Sequence, residues 1–276
     1  MIEPSAEKYS AEHGPQLTPE LAIANLQSSD LSLRYYAAWW LGKFRVSQPE
    51  AVDALIAALE DEADKTELGG YPLRRNAARA LGKLGNSKAV PALIKCLECS
   101  DFYVREAAAQ SLEMLRDTTA IPTLIELLDG GVAQAVQVPG RPHLTQPYEA
   151  VLEALGELCA IEAIDLIKPF LKHSVPRVQC SAARAMYQLT QDTSYGELLV
   201  KMLDEGDLKL RRVVLGDLGA IGYLAAAEAI AQAKAENSFK LIALKGLLEH
   251  QLLEKLDSLT VSNEAVRVMN LMDSLL

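Results

Sequence analysis

Seven stretches of this chain follow one pattern. They are RYYAAWWLGKF from Arg34, RRNAARALGKLG from Arg74, REAAAQSLEML from Arg105, YEAVLEALGEL from Tyr148, QCSAARAMYQL from Gln179, RRVVLGDLGAIG from Arg211 and KLIALKGLLEH from Lys240. With the first residue as position zero, positions +3, +4, +7 and +10 are apolar almost throughout, the stripe of a helix with one buried face. Position +8 is often glycine, as at Gly42, Gly82, Gly156 and Gly219. A residue that small lets a neighbouring helix approach closely.

Each such helix (A) is followed by a second apolar helix (B), as in AVDALIAALE, AVPALIKCLE, AIPTLIELLD, AIDLIKPFLK and YGELLVKMLD. Pro91 and Pro122 fall near B-helix starts, where a proline does no harm. Thr18 and Pro19 read as the N-cap and first residue of a B helix whose A helix is missing or lies in residues 1–17. A last helix is expected from about Ser262. The common spacing, about 31 residues, fits two antiparallel helices and two turns. The expected fold is all-α: a right-handed, crescent-shaped α-solenoid of about seven HEAT-like hairpins, a single domain over residues 1–276 with an N-terminal extension at 1–17. No alternating strand pattern and no nucleotide-binding strand–turn–helix signature is present.

Composition closes off other classes. Half the residues are hydrophobic but only 5% are aromatic, and the net charge is −10. That balance argues against nucleic acid and against an anionic membrane surface. No apolar run approaches the roughly 18 residues a transmembrane helix needs. The polar, acidic start does not read as a secretory leader. Four cysteines make no disulfide framework, and a cytoplasmic location is expected.

The pattern breaks in three places. Arg105 follows Leu97 by eight positions, but Arg74 follows Leu59 by fifteen and Tyr148 follows Leu128 by twenty. Both insertions, near 60–73 and 129–147, are B-to-A loops and so share one edge, a common place for binding. The first carries Glu60, Asp61, Glu62, Asp64 and Glu67, a Gly69–Gly70 bend, and Tyr71 leading into Arg74 and Arg75. Arginine also opens the repeats at 34, 105 and 211, so Arg74 reads first as structural, whereas Tyr71 and Arg75 are less explained by the repeat. The second insertion holds Arg141 and His143 among three glycines and three prolines. A loop this long is functional or disordered, and a histidine there is a proton donor near neutrality or simply solvated. Third, five of the 15 aromatic residues lie between positions 35 and 44. Ala37, Ala38, Leu41 and Phe44 take the core positions. Tyr35 and Trp39 fall on the opposite face, and Tyr36 and Trp40 on a flank. Such a patch suits a partner protein or a flat ligand, unless residues 1–17 cover it.

No catalytic or metal motif accompanies these features. Cys96 and Cys99 form a CxxC without a second pair or a nearby histidine, and no metal site is expected. Cys159 and Cys180 read as small packing residues.

Two segments are more particular than a generic solenoid: RYYAAWWLGKFRV at 34–46 and EDEADKTELGGYPLRRNAARALGKLG at 60–85. On these the chain resembles, over essentially its whole length, the E-type subunits of heterodimeric phycocyanobilin lyases. The resemblance implies a carbon–sulfur lyase that works with an F-type solenoid partner. Together they attach an open-chain tetrapyrrole, through a thioether at its ring-A ethylidene carbon, to a cysteine of the apo-phycocyanin α subunit. Phycocyanobilin is then substrate, and no cofactor is expected. A flat bilin suits Tyr36, Trp39, Trp40 and Tyr71. Its pyrrole N–H groups suit Asp61, Asp64 or Glu67, and its propionates suit Arg74, Arg75 and Arg141. Asp64 and His143 are the candidate proton donors. Tyr35 and Trp39 alternatively meet the F-type partner. Two rivals stand beside this reading: a lyase or isomerase for another bilin, and a scaffold for phycobilisome assembly or turnover without catalysis. A solenoid DNA glycosylase is disfavoured by the charge.

Overall fold

The computed structural model describes residues 17–253 and 261–276. Within them the chain is a succession of helices: α1 (Pro19–Asn25), α2 (Leu31–Lys43), α3 (Pro49–Ala58), α4 (Pro72–Leu84), α5 (Val90–Cys96), α6 (Phe102–Leu115), α7 (Ile121–Glu126) and α8 (Gly131–Gln134). The second half holds α9 (Tyr148–Glu157), α10 (Ile164–Ile167), α11 (Pro176–Thr190), α12 (Thr193–Glu205), α13 (Leu208–Ile221), α14 (Ala227–Gln232), α15 (Asn237–Leu253) and α16 (Asn263–Asp273). The seven A helices are α2, α4, α6, α9, α11, α13 and α15. Their partners form a second layer, and α8 lies inside the second insertion. The architecture is an α-solenoid of HEAT-like hairpins.

The +3, +4 and +7 residues of every A helix are buried, from Ala37, Ala38 and Leu41 to Ala243, Leu244 and Leu247. Position +10 is less uniform: Leu158 and Ile221 are buried, but Phe44 is 57% exposed. Phe44 sits at the C-cap of α2, where the helix has ended and its stripe no longer faces the core.

The A helices contact one another in unbroken order, whereas each B helix packs mainly on the A helix that follows it, and α12 equally on α11 and α13. The A layer is therefore the tighter, inner arc. The +8 glycines set its spacing. A Cβ on Gly42 would lie 2.7 Å from Ala80 Cα, one on Gly82 2.8 Å from Ser111 Cα, and one on Gly156 2.7 Å from Ala185 Cα. The packing partner is the +6 residue of the next repeat, and it is small each time.

Three B helices, α5, α7 and α10, are shorter than their sequence pattern, and each pattern carries a proline. Pro91 and Pro122 lie in the first turns of α5 and α7. Pro169 falls inside the pattern instead, and there α10 gives way to a 3-10 turn over Lys168–Lys172. A proline has no N–H to continue an α-helix. Thr18 caps α1 and Ser262 caps α16 through side-chain oxygens. Any cover over the aromatic patch from residues 1–16 lies outside the described residues. Cys180 is buried as expected, but Cys159 is exposed, with a left-handed backbone (φ 56°) just past the end of α9.

Candidate cleft between the two insertions

The arginines at position zero share one task. Arg34 Nε donates to Leu26 O (3.0 Å), Arg74 Nε to Asp61 O (2.7 Å), and Arg211 Nε to Leu203 O (3.2 Å); Arg105 donates to Cys99 O (2.6 Å). Each satisfies carbonyls left open at or just past the end of the preceding B helix. Arg74 also pairs with Glu62, and its guanidinium lies 4.1 Å over the Tyr71 ring.

The acidic residues of the first insertion are similarly committed. Asp61 pairs with Arg34 and accepts from Ala63 N and Asp64 N. Asp64 Oδ2 accepts from Leu73 N at 2.5 Å, serving as a remote cap for α4, while its Oδ1 is buried without a partner. Burial, more than any other influence, raises the Asp64 carboxyl above its ordinary range. Glu67 is exposed on the loop. Asp61, Asp64, Glu67 and Arg74 are thus absent from the cavity walls described next, because the first two and Arg74 brace the loop against α2, α3 and α4.

The two insertions do meet. The first turns back at Gly69 (φ 82°), with Thr66 N donating to Gly70 O at 2.8 Å. It is fastened to α6 by Tyr71 N, which donates to Asp101 Oδ2 at 2.7 Å. The second insertion is a hairpin-like loop turning at Gly140 (φ 72°), with Val138 N donating to His143 O and Thr145 N to Val136 O, each at 3.0 Å. Arg105 clamps its base through Thr145 O (3.0 Å) and Gln146 (2.9 Å), and buried His173 Nε2 is 2.9 Å from Ala135 O. Arg141 at its tip reaches Leu68 O on the other insertion (3.4 Å).

Between them lies an open cleft of about 460 Å³, lined by both loops and by the start of α6. Tyr71, Arg75, Arg141 and His143 line it together. Tyr71 is 5% exposed, and its hydroxyl is 3.2 Å from Glu62 Oε2. The His143 ring stacks on Phe102 (centroids 4.2 Å apart, 12° between planes) and meets Tyr103 edge-on at 5.8 Å. The Arg75 guanidinium lies 5.8 Å from the Tyr103 ring centre, and its Nε is buried with no hydrogen-bond partner. A second cavity of about 380 Å³ also has Phe102, Tyr103 and His143 in its wall, and adds Glu106, Glu149 and Arg177.

The repeat pattern does not single out Phe102, Tyr103, Glu106 or Glu149. A signal was present: two consecutive aromatics open the A helix between the insertions, and Glu106 and Glu149 share position +1 with Arg75. The aromatic patch on α2 does not line this cleft. There Tyr35, Tyr36 and Trp39 are exposed and Trp40 is half-buried. Tyr36 pairs with Trp39 (5.3 Å), Trp40 pairs with Phe44 (4.8 Å), and Lys43 Nζ sits 4.6 Å from the Trp39 ring centre.

Comparison with known proteins gives consistent results. Residues 33–61 match the family described as PBS lyase HEAT-like repeat, and residues 71–137 match HEAT repeats. The chain is 80% identical over its full 276 residues, and the full relative, to phycocyanobilin lyase subunit alpha of Nostoc sp. (strain PCC 7120 / SAG 25.82 / UTEX 2576). It is 45% identical over 239 residues (86% of this chain, 89% of the relative) to bilin biosynthesis protein PecE of the same organism. Among solved structures, a chain of the complex of CpcE and CpcF of phycocyanin lyase from Nostoc sp. PCC7120 matches 99% of this chain and 100% of its own length. The match is at 79% identity, with a TM-score of 0.90.

Proposed function

The chain belongs to the phycocyanobilin lyase subunit alpha family, and on that premise we propose that the cleft between its two insertions is where it handles the pigment. The protein is one subunit of a lyase that joins phycocyanobilin through a thioether to a cysteine of the phycocyanin α subunit, and it acts with an F-type partner. The nucleophilic thiol belongs to the acceptor, so this chain needs no catalytic cysteine. Two of its own thiols agree: burial pushes Cys96 up to about 12 and raises Cys180 still further, leaving both protonated.

The observation that carries the site is Arg75. A buried guanidinium nitrogen without a partner costs free energy, and a carboxylate in the cleft would supply what it lacks. Arg141 stands on the same rim. A bilin's two propionates are therefore assigned to Arg75 and Arg141, and its conjugated face to Tyr103 and the His143–Phe102 stack. His143 keeps its role as a proton-donor candidate, because its ring is held by stacking and Nδ1 is 2.8 Å from Leu144 O. Asp64, bound to the α4 backbone, is assigned to structure instead. Much of the rate enhancement comes from holding the pigment fixed beside the acceptor thiol. The exposed rings of Tyr35, Tyr36 and Trp39, with Trp40 behind them, are assigned to partner contact. Phycocyanobilin enters as substrate, with no further cofactor. Among the described residues no helix is long and apolar enough to cross a membrane; the proposed location is the cytoplasm, beside phycobilisomes.

Co-expression with the F-type partner, the apo-phycocyanin α subunit and a phycocyanobilin source tests this. Zinc-induced fluorescence of the denatured α-subunit band reads covalent attachment. The adduct is expected only when both solenoids are present. Arg75→Ala is expected to weaken pigment binding about tenfold or more, the loss of a charge-assisted bond. Wild-type affinity in Arg75→Ala would move the site elsewhere.

A further inference from the structure

The two cavities that share Phe102, Tyr103 and His143 differ in charge. The first presents Arg75, Arg105 and Arg141, and its carboxylate Asp101 is occupied by Tyr71 N and Tyr103 N. The second presents Glu106 and Glu149, and its cation Arg177 is paired with Glu149 at 2.8 Å. Glu106 is the less committed carboxylate. Its nearest cation, Arg79, is 3.7 Å away, and among the described residues no hydrogen bond reaches its oxygens. It also lies three residues beyond Tyr103 on α6, and so on the same helix face. A ligand crossing the Tyr103–His143 ridge would pass from a cationic chamber into an acidic one.

We propose that Glu106 is a positioning residue for the bilin: its carboxylate receives the pyrrole N–H edge of a pigment whose propionates lie on Arg75 and Arg141. This rests on the cleft being the pigment site. The polarity of the two chambers then fixes which way round the tetrapyrrole enters. The chemistry follows from the addition. A sulfur–carbon bond forms at the ethylidene carbon, the exocyclic double bond opens, and a proton is gained at its other end. The thiol loses its proton, so the sum needs no oxidant or reductant. A pigment held as its N-protonated cation is the more electrophilic partner, and a carboxylate against its N–H groups favours that form. The groups facing Glu106 are Arg75 and Arg79 from α4, Glu149 and Glu153 from α9, Arg177 from α11, and His143 from the loop. Burial, the largest influence, raises the Glu106 carboxyl, and Arg79 is the main opposing charge. Acidification neutralises Glu106 and weakens its hold on the cation, giving attachment an acid limb.

The test uses the heterodimer with its F-type partner, titrated with phycocyanobilin and followed by visible absorption against pH. In the wild type, the bound pigment should stay protonated to higher pH than free pigment. Glu106→Gln should lower the proton affinity of the bound pigment about tenfold. It should also slow attachment roughly a hundredfold and remove the acid limb, with little change in affinity for the neutral pigment measured at alkaline pH. Glu106→Asp should restore part of the proton affinity, which a merely structural role would not do. Arg75→Ala should do the reverse, weakening affinity without changing the bound pigment's titration. If Glu106→Gln titrates as wild type while Arg75→Ala still loses affinity, the inference is wrong and the site stands. If neither variant changes anything, both are wrong.

Discussion

Arg74 and Arg75 are adjacent in the chain, identical in type and opposite in use. Arg74 closes the end of α3 through Asp61 O and Glu60 O, as its counterparts do in three other repeats. Arg75 is turned toward the cleft and leaves Nε unpaired. The repeat made Arg74 legible as structural. It was silent on Arg75, because position +1 carries no packing duty and is free to vary from Tyr35 to Arg75 to Glu106. Two substitutions separate the pair. Arg74→Ala should lower the melting temperature, corresponding to about 1–3 kcal/mol for carbonyls left without a donor, and should reduce pigment affinity only through loop disorder. Arg75→Ala should leave the melting temperature unchanged or raised, since it removes an unsatisfied buried group. Thermal unfolding of the two purified chains checks this directly. Asp64 belongs with Arg74. An acidic loop reads as a ligand surface from composition, yet its partner is a backbone N–H that no sequence pattern marks.

At the level of the helices, small residues decide the geometry. The +3, +4 and +7 stripe was legible along the whole chain, since burial on one helix face imposes its own period. Helix ends were less so: Phe44 falls on the stripe but past the end of α2, and α10 is cut short at Pro169. The glycines allow a paired prediction. Gly82 packs its bare Cα on Ser111, so Gly82→Ala would force the backbones of α4 and α6 apart. A cost of about 1–3 kcal/mol is expected, as for overpacking elsewhere. Gly216, in α13, faces open space, and a Cβ there meets nothing within 4 Å. Gly216→Ala should instead stabilise by about 0.5–1 kcal/mol, the helix-interior penalty of glycine. Denaturant midpoints of opposite sign are expected. Equal signs would mean that the close approach of α4 and α6 is not what demands glycine.

Across the whole molecule, the inner arc is tied by one buried charge. Arg184 on α11 reaches Glu113 on α6 (2.5 Å), Glu153 on α9 (3.5 Å) and Asp217 on α13 (3.7 Å), so four successive repeats share a node. No sequence pattern marked it, because Arg184 and Glu153 come from position +5, which looks like surface in any single repeat, and Asp217 and Glu113 from +6 and +8, where other repeats mostly carry small residues. Two stacked helices bring such positions near each other, but only the curvature of the array encloses them. Asp217 is 4% exposed, with Oδ2 unpaired. Burial, then the charge of Glu153, raises it to about 8 against an ordinary 3.8, despite Arg184. The folded state therefore binds a proton that the unfolded chain has released at neutral pH. The stability from that proton is full below the ordinary carboxyl range, declines as pH rises, and is exhausted once pH has passed about 8. Asp217→Asn keeps the shape and removes the titration. Its melting temperature should fall less than that of the wild type between pH 6 and 9 (~three units around the folded value) and exceed it at the alkaline end. Parallel curves would place the proton elsewhere in the node. Arg184→Met should cost about 3–5 kcal/mol near neutrality by stranding carboxylates that it now neutralises. Since the node spans α6 to α13, that loss should appear as one cooperative transition, not as fraying from either end of the array.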